Sequence, residues 1–333
     1  MIKESIGILI GRQDLTREEA YGVMKEIMSG EATPAQIGSL ISLLRMKGET
    51  IDEITGFARA MREFSVKIRS GRKPLVDTCG TGGDLSGTFN ISTASVFVAA
   101  GAGISVAKHG NRSVTSKCGS ADVLEALGVR IDLAAEKVEE CLQEAGIAFL
   151  FAPQMHPAMK YAIPVRREIG IRTVFNILGP LTNPADADSQ VLGVFSKDYV
   201  SSLAQVLKNL GTRRSFVVHG SGLDELTLAG ESSVCEVYEG KINYYTFTPE
   251  VTGLPRCTLE DLKGGDAEQN GKIILDILEG GKGPKRDVVV LNSALAIIAG
   301  GKAKDINEGI KLAEESIDSG EALKKLEKLK TVN

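Results

Sequence analysis

The chain has 333 residues, of which 43% are hydrophobic and 25% are charged, and its formal net charge is −4. These values are typical of a globular protein with enough chain for about two domains. The acidic balance and the absence of tryptophan argue against a general nucleic-acid-binding protein, so an anion site would have to be a local basic cluster.

The cysteines and the apolar runs exclude several other classes. There are five cysteines, an odd number, and none forms a C-x-x-C pair, so neither a zinc site nor a disulfide framework is predicted. The longest apolar stretch, residues 93–107, is interrupted by glycines and is too short to span a membrane. The first residues show no signal-peptide pattern, and we expect a cytoplasmic protein.

The first seventy residues are predicted to be helical. Three capping boxes recur, at Thr16-x-x-Glu19, Thr33-Pro34-x-Gln36 and Thr50-x-x-Glu53, and apolar residues at helical spacing follow each one. The apolar faces of such short helices either pack on their own chain or form a dimer, and the sequence leaves both open. Glycine, proline and charge in residues 69–74 predict a linker after this region.

The first junction of interest joins a predicted strand over 75–78 to the loop Gly80-Thr81-Gly82-Gly83-Asp84. Glycines allow the backbone of a loop to approach an anion closely and to turn its amides toward it. Asn90-Ile91-Ser92-Thr93 then precedes an apolar run, which predicts a helix N-terminus with N–H groups available to an anion. Together these features indicate a phosphate site.

A second junction follows the predicted strand over 104–107. It brings Lys108-His109-Gly110-Asn111-Arg112 and then several hydroxyl side chains up to Ser120. A single glycine-rich turn is more often a plain connection, but two such junctions, one of them carrying cations, favour a phosphate site. The P-loop pattern is absent, and Leu85 stands where the dinucleotide fingerprint requires glycine or alanine, so an NTPase and a Rossmann dehydrogenase are set aside.

The remaining pattern alternates strands with helices, which predicts an α/β fold with a mostly parallel sheet. The predicted elements are helices over 121–127 and 134–145, a strand over 147–151, a helix that starts at His156-Pro157 and carries Arg166 and Arg167, an irregular crossing loop over 176–184, a strand over 190–195, a helix over 199–210, a strand over 215–218, a hairpin over 234–247, helices over 271–279, 287–299 and 306–318, and a solvated lysine-rich helix from Ala322.

A third junction, residues 219–225, ends in the acidic pair Asp224-Glu225. Ligands of open α/β sheets bind at the edge where such loops lie. Mg²⁺ prefers oxygen ligands and is often held by one or two carboxylates together with substrate phosphates and water. Alone, the pair would more simply be a solvated turn in a surface loop, but beside the two phosphate-type junctions it favours a magnesium site.

These motifs, together with Asn176-Ile177-Leu178-Gly179-Pro180-Leu181-Thr182-Asn183-Pro184, closely resemble those of the anthranilate phosphoribosyltransferases, in order and over nearly the whole chain. The resemblance implies the nucleoside-phosphorylase-like fold: a small helical dimerisation domain over 1–70, with a returning segment around 163–185, and an α/β phosphoribosyl-diphosphate-binding domain over 74–333. It also implies a homodimer and transfer of a 5-phosphoribosyl group from 5-phosphoribosyl 1-diphosphate to anthranilate in tryptophan biosynthesis.

The resemblance further implies the site residues. Those for 5-phosphoribosyl 1-diphosphate would be Gly80, Gly83, Asp84, Thr88, Asn90, Ile91, Ser92, Thr93, Lys108, His109, Gly110, Asn111, Arg112, Ser113, Val114, Thr115, Ser116 and Ser120. Those for anthranilate would be Gly80, Asn111 and Arg166. Two Mg²⁺ ions per protomer are implied, one on Ser92 and Glu225 and the other on Asp224 and Glu225. Cys118 is left out because relatives can carry serine there.

No catalytic residue is assigned from the sequence. His109 could help to move a proton or could only orient the substrate, and His156 and His219 are expected to be structural. Two alternatives remain. A pyrimidine nucleoside phosphorylase would share the fold but needs no two-metal carboxylate pair, and a non-enzymatic nucleic-acid-binding relative is disfavoured by the acidic charge. We therefore expect neither a nucleic-acid nor a membrane partner.

Overall fold

A computed structural model describes residues 1–84, 86–113 and 117–332 of the chain. Within residues 1–70, the secondary structure is helical: α1 (Ile2–Ile10), α2 (Arg17–Met28), α3 (Pro34–Lys47) and α4 (Ile51–Glu63). The last three begin at the predicted capping boxes, in which each threonine accepts a hydrogen bond from the third residue of its helix and that residue's side chain accepts one in return. These three predicted helix starts are confirmed.

A seven-stranded sheet lies at the centre of the described part of the chain. Its strands are β1 (Leu75–Gly80), β2 (Ser105–Gly110), β3 (Ile147–Phe151), β4 (Ser189–Gly193), β5 (Arg214–Gly220), β6 (Ser232–Tyr238) and β7 (Lys241–Phe247). They are arranged in the order β3-β2-β1-β4-β5-β6-β7. The first five are parallel, and β6 and β7 add antiparallel at one edge as the predicted hairpin. The predicted fold class is confirmed.

The strand order creates one position where the winding direction reverses. From β1 the chain continues to β2 and β3 on one side, whereas β4 and β5 lie on the other side of β1. In open α/β sheets, connections that leave in opposite directions create a crevice outside the carboxyl ends of the strands, here those of β1 and β4, and ligands bind at this position. Gly80 and Gly193 are paired in register at these two ends.

The other helices surround the sheet. They are α5 (Ile91–Gly101), α6 (Ser120–Ala126), α7 (Ala135–Glu144), α8 (Ala152–Met155), α9 (Ile163–Ile169), α10 (Phe175–Leu178), α11 (Asp198–Asn209), α12 (Ala267–Leu278), α13 (Pro284–Ala299), α14 (Ile306–Asp318) and α15 (Glu321–Val332). Short 3₁₀ turns occur at Pro157–Tyr161, Gly179–Leu181, Pro249–Thr252 and Glu260–Leu262. No helix among the described residues is long and apolar enough to cross a membrane.

Three local predictions were wrong. The proline-rich segment 176–184 is largely ordered as α10 and a 3₁₀ turn, because Pro180 stands at the start of its turn, where no backbone N–H is required. The helix expected from His156 is divided into a 3₁₀ turn and α9, and Pro164 lies in the first turn of α9. The lysine-rich α15 is not simply solvated, since it buries four apolar residues against the rest of the α/β part.

Two hydrophobic clusters hold these layers together. The larger one lies around α5, α13 and one face of the sheet. The other joins α1–α4 to α11, to the opposite face of the sheet and to apolar residues between Met159 and Leu181. The helical layer therefore shares its core with the returning segment and with the sheet. The division into domains at 1–70 and 74–333 remains a proposal.

Candidate active site

The glycine-rich loop after β1 lies at the crevice between β1 and β4. Gly82 and Gly83 have φ values of +62° and +76°, which residues other than glycine rarely adopt. Thr81 ties the start of the loop to the neighbouring strand, because its N–H donates to the Gly193 carbonyl (2.9 Å) and its hydroxyl accepts from the Phe195 N–H (3.1 Å). The loop is thus fixed at its base and exposes its backbone at the crevice.

The acidic pair Asp224-Glu225 packs directly onto this loop. The Gly82 N–H donates to Asp224 Oδ2 (2.9 Å), and a Cβ on Gly80 or on Gly193 would overlap Asp224. Both glycines are therefore needed for the acidic loop to cover the strand ends. The pair lies in the loop after β5, as expected, but both side chains are half-buried and not fully solvated.

Glu225 occupies the helix N-terminus that was predicted to hold an anion. The Ser92 N–H, in the first turn of α5, donates to Glu225 Oε1 (3.0 Å). A carboxylate at this end of a helix is favoured by the helix dipole. This backbone donor therefore positions Glu225 beside Ser92.

The negative charge of the pair is poorly compensated. Burial raises the pKa of Asp224 to about 7, and repulsion by Asp84 adds to the effect. Burial also raises the pKa of Glu225 to about 8, with repulsion by Asp224 as the next cause. Two like charges this close ionise together only with difficulty, so the site favours a proton or a cation.

Lys108, at the end region of β2, supplies a positive charge close to the pair. It is buried, and its Nζ donates to the Thr78 carbonyl (2.6 Å) and lies 3.4 Å from Ser92 Oγ. Burial lowers the pKa of Lys108, while the nearby carboxylates of Asp77, Glu225 and Asp224 oppose that effect. Lys108 can therefore offset negative charge at the crevice.

The donor atoms fit Mg²⁺. Ser92, Asp224 and Glu225 offer oxygens only, and the raised pKa values of the two carboxylates show that their charge would be relieved by a cation. Among the residues described, no cluster of three or more His, Cys, Asp or Glu side chains is placed to hold a metal ion. A magnesium ion here would therefore need oxygens from substrate or water, which is its usual arrangement.

The loop after β2 is held mainly by Asp122. Its Oδ2 accepts from the Ser113 N–H (3.0 Å) and the Gly119 N–H (2.8 Å). Arg112 forms ion pairs with Asp122 and Glu125, so its guanidinium is committed to α6 in this conformation. Its predicted contact with the diphosphate would require these pairs to loosen.

The other predicted residues of this loop are spread along it. Asn111 is exposed at its start, and its carbonyl accepts from the Ser120 hydroxyl (3.3 Å). Gly110 leaves the space that this hydroxyl fills. The predicted residues Val114, Thr115 and Ser116 lie outside the described residues.

Asn90 connects the two phosphate-type loops. Its Nδ2 donates to the Cys118 carbonyl (3.2 Å), and its Oδ1 accepts from Asn270 (2.9 Å). Ile91 and Thr93 are buried, and the Thr93 hydroxyl has no hydrogen-bond partner among the described residues. Of the four residues Asn90 to Thr93, only Asn90 and Ser92 are not fully buried.

Asp84 and Thr88 belong to a small hydroxyl network. The Ser86 hydroxyl donates to Asp84 Oδ2 (2.8 Å) and lies 3.2 Å from the Thr88 hydroxyl. Thr88 also forms an isolated antiparallel bridge with Lys263. The network gives the loop after β1 a second anchor.

The histidines are neutral at pH 7 where a shift is resolved. Burial lowers the pKa of His109 to about 3 and that of His156 to about 4. His109 Nδ1 lies 3.2 Å from the Gly179 carbonyl, which can only accept, so the proton is on Nδ1. His219 Nδ1 contacts the Val194 carbonyl (2.8 Å), in agreement with a structural role. A pKa near 3 makes His109 a weak general base.

Arg166 and Arg167 differ in their exposure to solvent. Arg166 is half-buried, its guanidinium lies 5.2 Å from the centre of the Phe175 ring, and burial lowers its pKa. No carboxylate of the described residues forms an ion pair with it. Arg167 is exposed. A partly desolvated guanidinium without a counterion is suited to an incoming carboxylate.

Sequence reasoning missed Arg172, Asp122 and Asn270. Arg172 donates to the carbonyls of Gly82 and Gly83, about ninety residues away along the chain. The sequence carries no signal for such a contact, because nothing local to an arginine specifies a distant carbonyl. Asp122 alone had a local indication, since it lies near the start of a predicted helix, and in the structure it is the third residue of α6, after Gly119.

Comparisons with known proteins cover both parts of the chain. The family described as "Glycosyl transferase family, helical bundle domain" matches residues 3–65, and "Glycosyl transferase family, a/b domain" matches residues 72–323. The anthranilate phosphoribosyltransferase of Pelotomaculum thermopropionicum is 58% identical over 330 residues, which are 99% of this chain and 96% of the relative.

Solved structures agree. The anthranilate phosphoribosyltransferase of Thermus thermophilus superposes with a TM-score of 0.94 at 47% identity, covering 98% of each chain. The Saccharomyces cerevisiae enzyme in complex with PRPP and Mg gives 0.91 at 27% identity, and its complex with 4-fluoroanthranilate gives 0.89 at 26%; each covers 99% of this chain and 97% of the yeast chain. The chain belongs to the anthranilate phosphoribosyltransferase family.

Proposed function

We propose that the protein transfers the 5-phosphoribosyl group from 5-phosphoribosyl 1-diphosphate to anthranilate and releases diphosphate, as a step of tryptophan biosynthesis. One feature supports this most directly. The half-buried pair Asp224-Glu225, with pKa values raised to about 7 and 8, lies between a glycine-rich loop and Ser92 at the crevice of the sheet. Such a pair suits a magnesium-bound diphosphate.

The reaction forms a bond between the anthranilate nitrogen and the anomeric carbon of the ribose while the bond from that carbon to the diphosphate oxygen breaks. Negative charge therefore develops on the diphosphate. Lys108 Nζ and Ser92 Oγ, which lie 3.4 Å apart, can stabilise this negative charge at the crevice. The amine of anthranilate is itself a nucleophile, so the chain mainly binds, orients and stabilises charge.

The proposed metal requirement follows from the donor set. We propose two Mg²⁺ ions per protomer, held by Ser92 and Glu225 and by Asp224 and Glu225. When bound, they would supply Lewis-acid stabilisation of the leaving diphosphate. The similar yeast enzyme in complex with PRPP and Mg supports the metal, while the number of ions is our own proposal.

We propose the donor and acceptor residues as the sequence predicted them. The donor site comprises Gly80, Gly83, Asp84, Thr88, Asn90, Ile91, Ser92, Thr93, Lys108, His109, Gly110, Asn111, Arg112, Ser113, Val114, Thr115, Ser116 and Ser120. The acceptor site comprises Gly80, Asn111 and Arg166. Burial of Arg166, which forms no ion pair with a carboxylate of the described residues, supports its role, because the acceptor carries a carboxylate.

We further propose a homodimer through the helical layer. Met46 at the end of α3 is 81% exposed and Ile10 at the end of α1 is 67% exposed, and these two helices pack together. Large apolar side chains that are exposed at the ends of two packed helices favour a contact with a second copy. We also propose a cytoplasmic location, which suits a chain whose five cysteines are free.

The decisive experiment incubates the purified full chain with anthranilate, 5-phosphoribosyl 1-diphosphate and Mg²⁺. We expect anthranilate to be consumed and diphosphate to be released in equal amounts, as measured by chromatography, and both to stop when EDTA removes the metal. If neither compound changes in the presence of Mg²⁺, the proposed function is wrong.

A further inference from the structure

Arg172, which lies between α9 and α10, grips the glycine-rich loop. Its Nη1 donates to the Gly83 carbonyl and its Nη2 to the Gly82 carbonyl, both at 3.1 Å. The guanidinium also stacks on the Phe195 ring, with Cζ 3.9 Å from the ring centre. Two parallel hydrogen bonds and a stacked face use the planar geometry that distinguishes arginine from lysine.

The loop is shaped to accept this side chain. A Cβ on Gly83 would overlap Arg172 Nη1. Glycine is therefore required here both by the contact with the Arg172 guanidinium and by the φ of +76°. Phe195, on which Arg172 stacks, is itself tied to the loop through the hydrogen bond from its N–H to the Thr81 hydroxyl. Arg172 thus closes the loop onto the end of β4.

Gly82 connects Arg172 to the acidic pair through hydrogen bonds. Gly82 accepts from Arg172 through its carbonyl and donates to Asp224 Oδ2 through its N–H. The orientation of this one glycine therefore depends on both partners. If Arg172 is removed, the peptide units around Gly82 can rotate, and the carboxylate of Asp224 loses its fixed donor.

We propose that Arg172 is a positioning residue: it holds the glycine-rich loop so that the Gly82 N–H aligns Asp224 for the metal and the loop backbone meets the diphosphate. This inference rests on the proposed transferase function. Arg172 contacts neither the sugar nor the acceptor in this scheme. It acts through the loop, in the way that outer partners orient metal ligands.

The test compares Arg172→Ala, Arg172→Lys and wild type in two assays. Binding of Mn²⁺ to the protein alone at pH 8.5, followed by electron paramagnetic resonance, measures the acidic pair without any turnover. We expect both variants to bind Mn²⁺ about 10- to 100-fold more weakly. The kcat/KM for 5-phosphoribosyl 1-diphosphate should fall by about the same factor, and the KM for anthranilate should stay unchanged.

Added guanidinium ion should partly restore the activity of Arg172→Ala, which would not happen if Arg172 had only a structural role. Millimolar guanidinium should restore donor kcat/KM in part to Arg172→Ala and not to Arg172→Lys, whose ammonium occupies the space. Arg256→Ala is the control, since Arg256 is an exposed arginine paired with Glu250 and should behave as wild type. Gly83→Ala should reproduce the weaker Mn²⁺ binding by displacing the guanidinium, which keeps the test available if Arg172→Ala does not fold.

The inference is overturned if Arg172→Lys matches wild type in both assays, because charge alone would then suffice. It is equally overturned if Arg172→Ala binds Mn²⁺ as wild type does. Failure of the proposed function would look different: the wild-type chain would bind Mn²⁺ but consume no anthranilate.

Discussion

Neutralising the acidic pair should stabilise the metal-free protein while abolishing its activity. The perturbation is the double variant Asp224→Asn, Glu225→Gln, in which amide oxygens can still accept from the Gly82 and Ser92 N–H groups. The prediction follows from the raised pKa values of the two carboxyls, which mean that their ionised forms are disfavoured in the folded state.

The sign and the pH window follow from the same values. A carboxyl whose pKa is raised on folding keeps its proton in the folded state after the unfolded chain has lost it. The contribution of these two carboxyls to the stability of the metal-free protein therefore falls as pH rises from about 4 to about 8. A pKa raised from 4.5 to about 8, as for Glu225, corresponds to about 5 kcal/mol at high pH. Because the side chain is only half-buried and interacts with Asp224, we expect about 2 kcal/mol.

The assay is urea unfolding followed by circular dichroism, with EDTA, at pH 4.5 and pH 8.5. The double variant should gain about 2 kcal/mol in free energy of unfolding over wild type at pH 8.5 and little at pH 4.5. Added Mg²⁺ should stabilise wild type only. Glu31→Gln, at an exposed glutamate, is the matched control and should show neither effect.

Turnover is measured on the same samples. We expect no detectable consumption of anthranilate by the double variant at any Mg²⁺ concentration. A variant that is less stable than wild type at pH 8.5, or one that gains equally at both pH values, would refute the reasoning from charge. If the variant turned over at the wild-type rate and still required Mg²⁺, the two carboxylates would have no part in the mechanism.

Three further predictions concern other parts of the molecule. Arg166→Ala should raise the KM for anthranilate at least about tenfold and leave that for the donor nearly unchanged; if only Arg167→Ala does so in steady-state assays, the assignment to Arg166 is wrong. Sedimentation should give a dimer of 35.4 kDa chains, and Met46→Lys should shift it toward the monomer; a monomeric wild type would contradict the proposed interface. Gly193→Ala should lower the midpoint of thermal unfolding and weaken Mn²⁺ binding, because its Cβ would overlap the Asp224 backbone; unchanged binding would show that the acidic loop can move aside.

Much of the fold could be predicted because its signals are local. Each of the three capping boxes needs only residues three positions apart, and α2, α3 and α4 begin where these boxes stand. The predicted helix over 306–318 matches α14, and the hairpin over 234–247 matches β6 and β7 closely. The prediction for the segment 176–184 was wrong because it used local signals alone. Proline and glycine suggested a loop, but packing against the second hydrophobic cluster stabilises short helical turns there.

The sequence by itself determined which residues stand at strand ends: the glycines after β1, Lys108 in β2 and the acidic pair after β5. Parallel strands bring these ends to one edge, so the site could be located before the structure was considered. Only the tertiary structure decided how they interact. Glu225 takes its hydrogen bond from Ser92, 133 residues away, and Arg172 grips carbonyls about ninety residues away. Burial at this crowded edge, which no local pattern encodes, then raises the pKa values of the carboxyls and makes the site receptive to a cation.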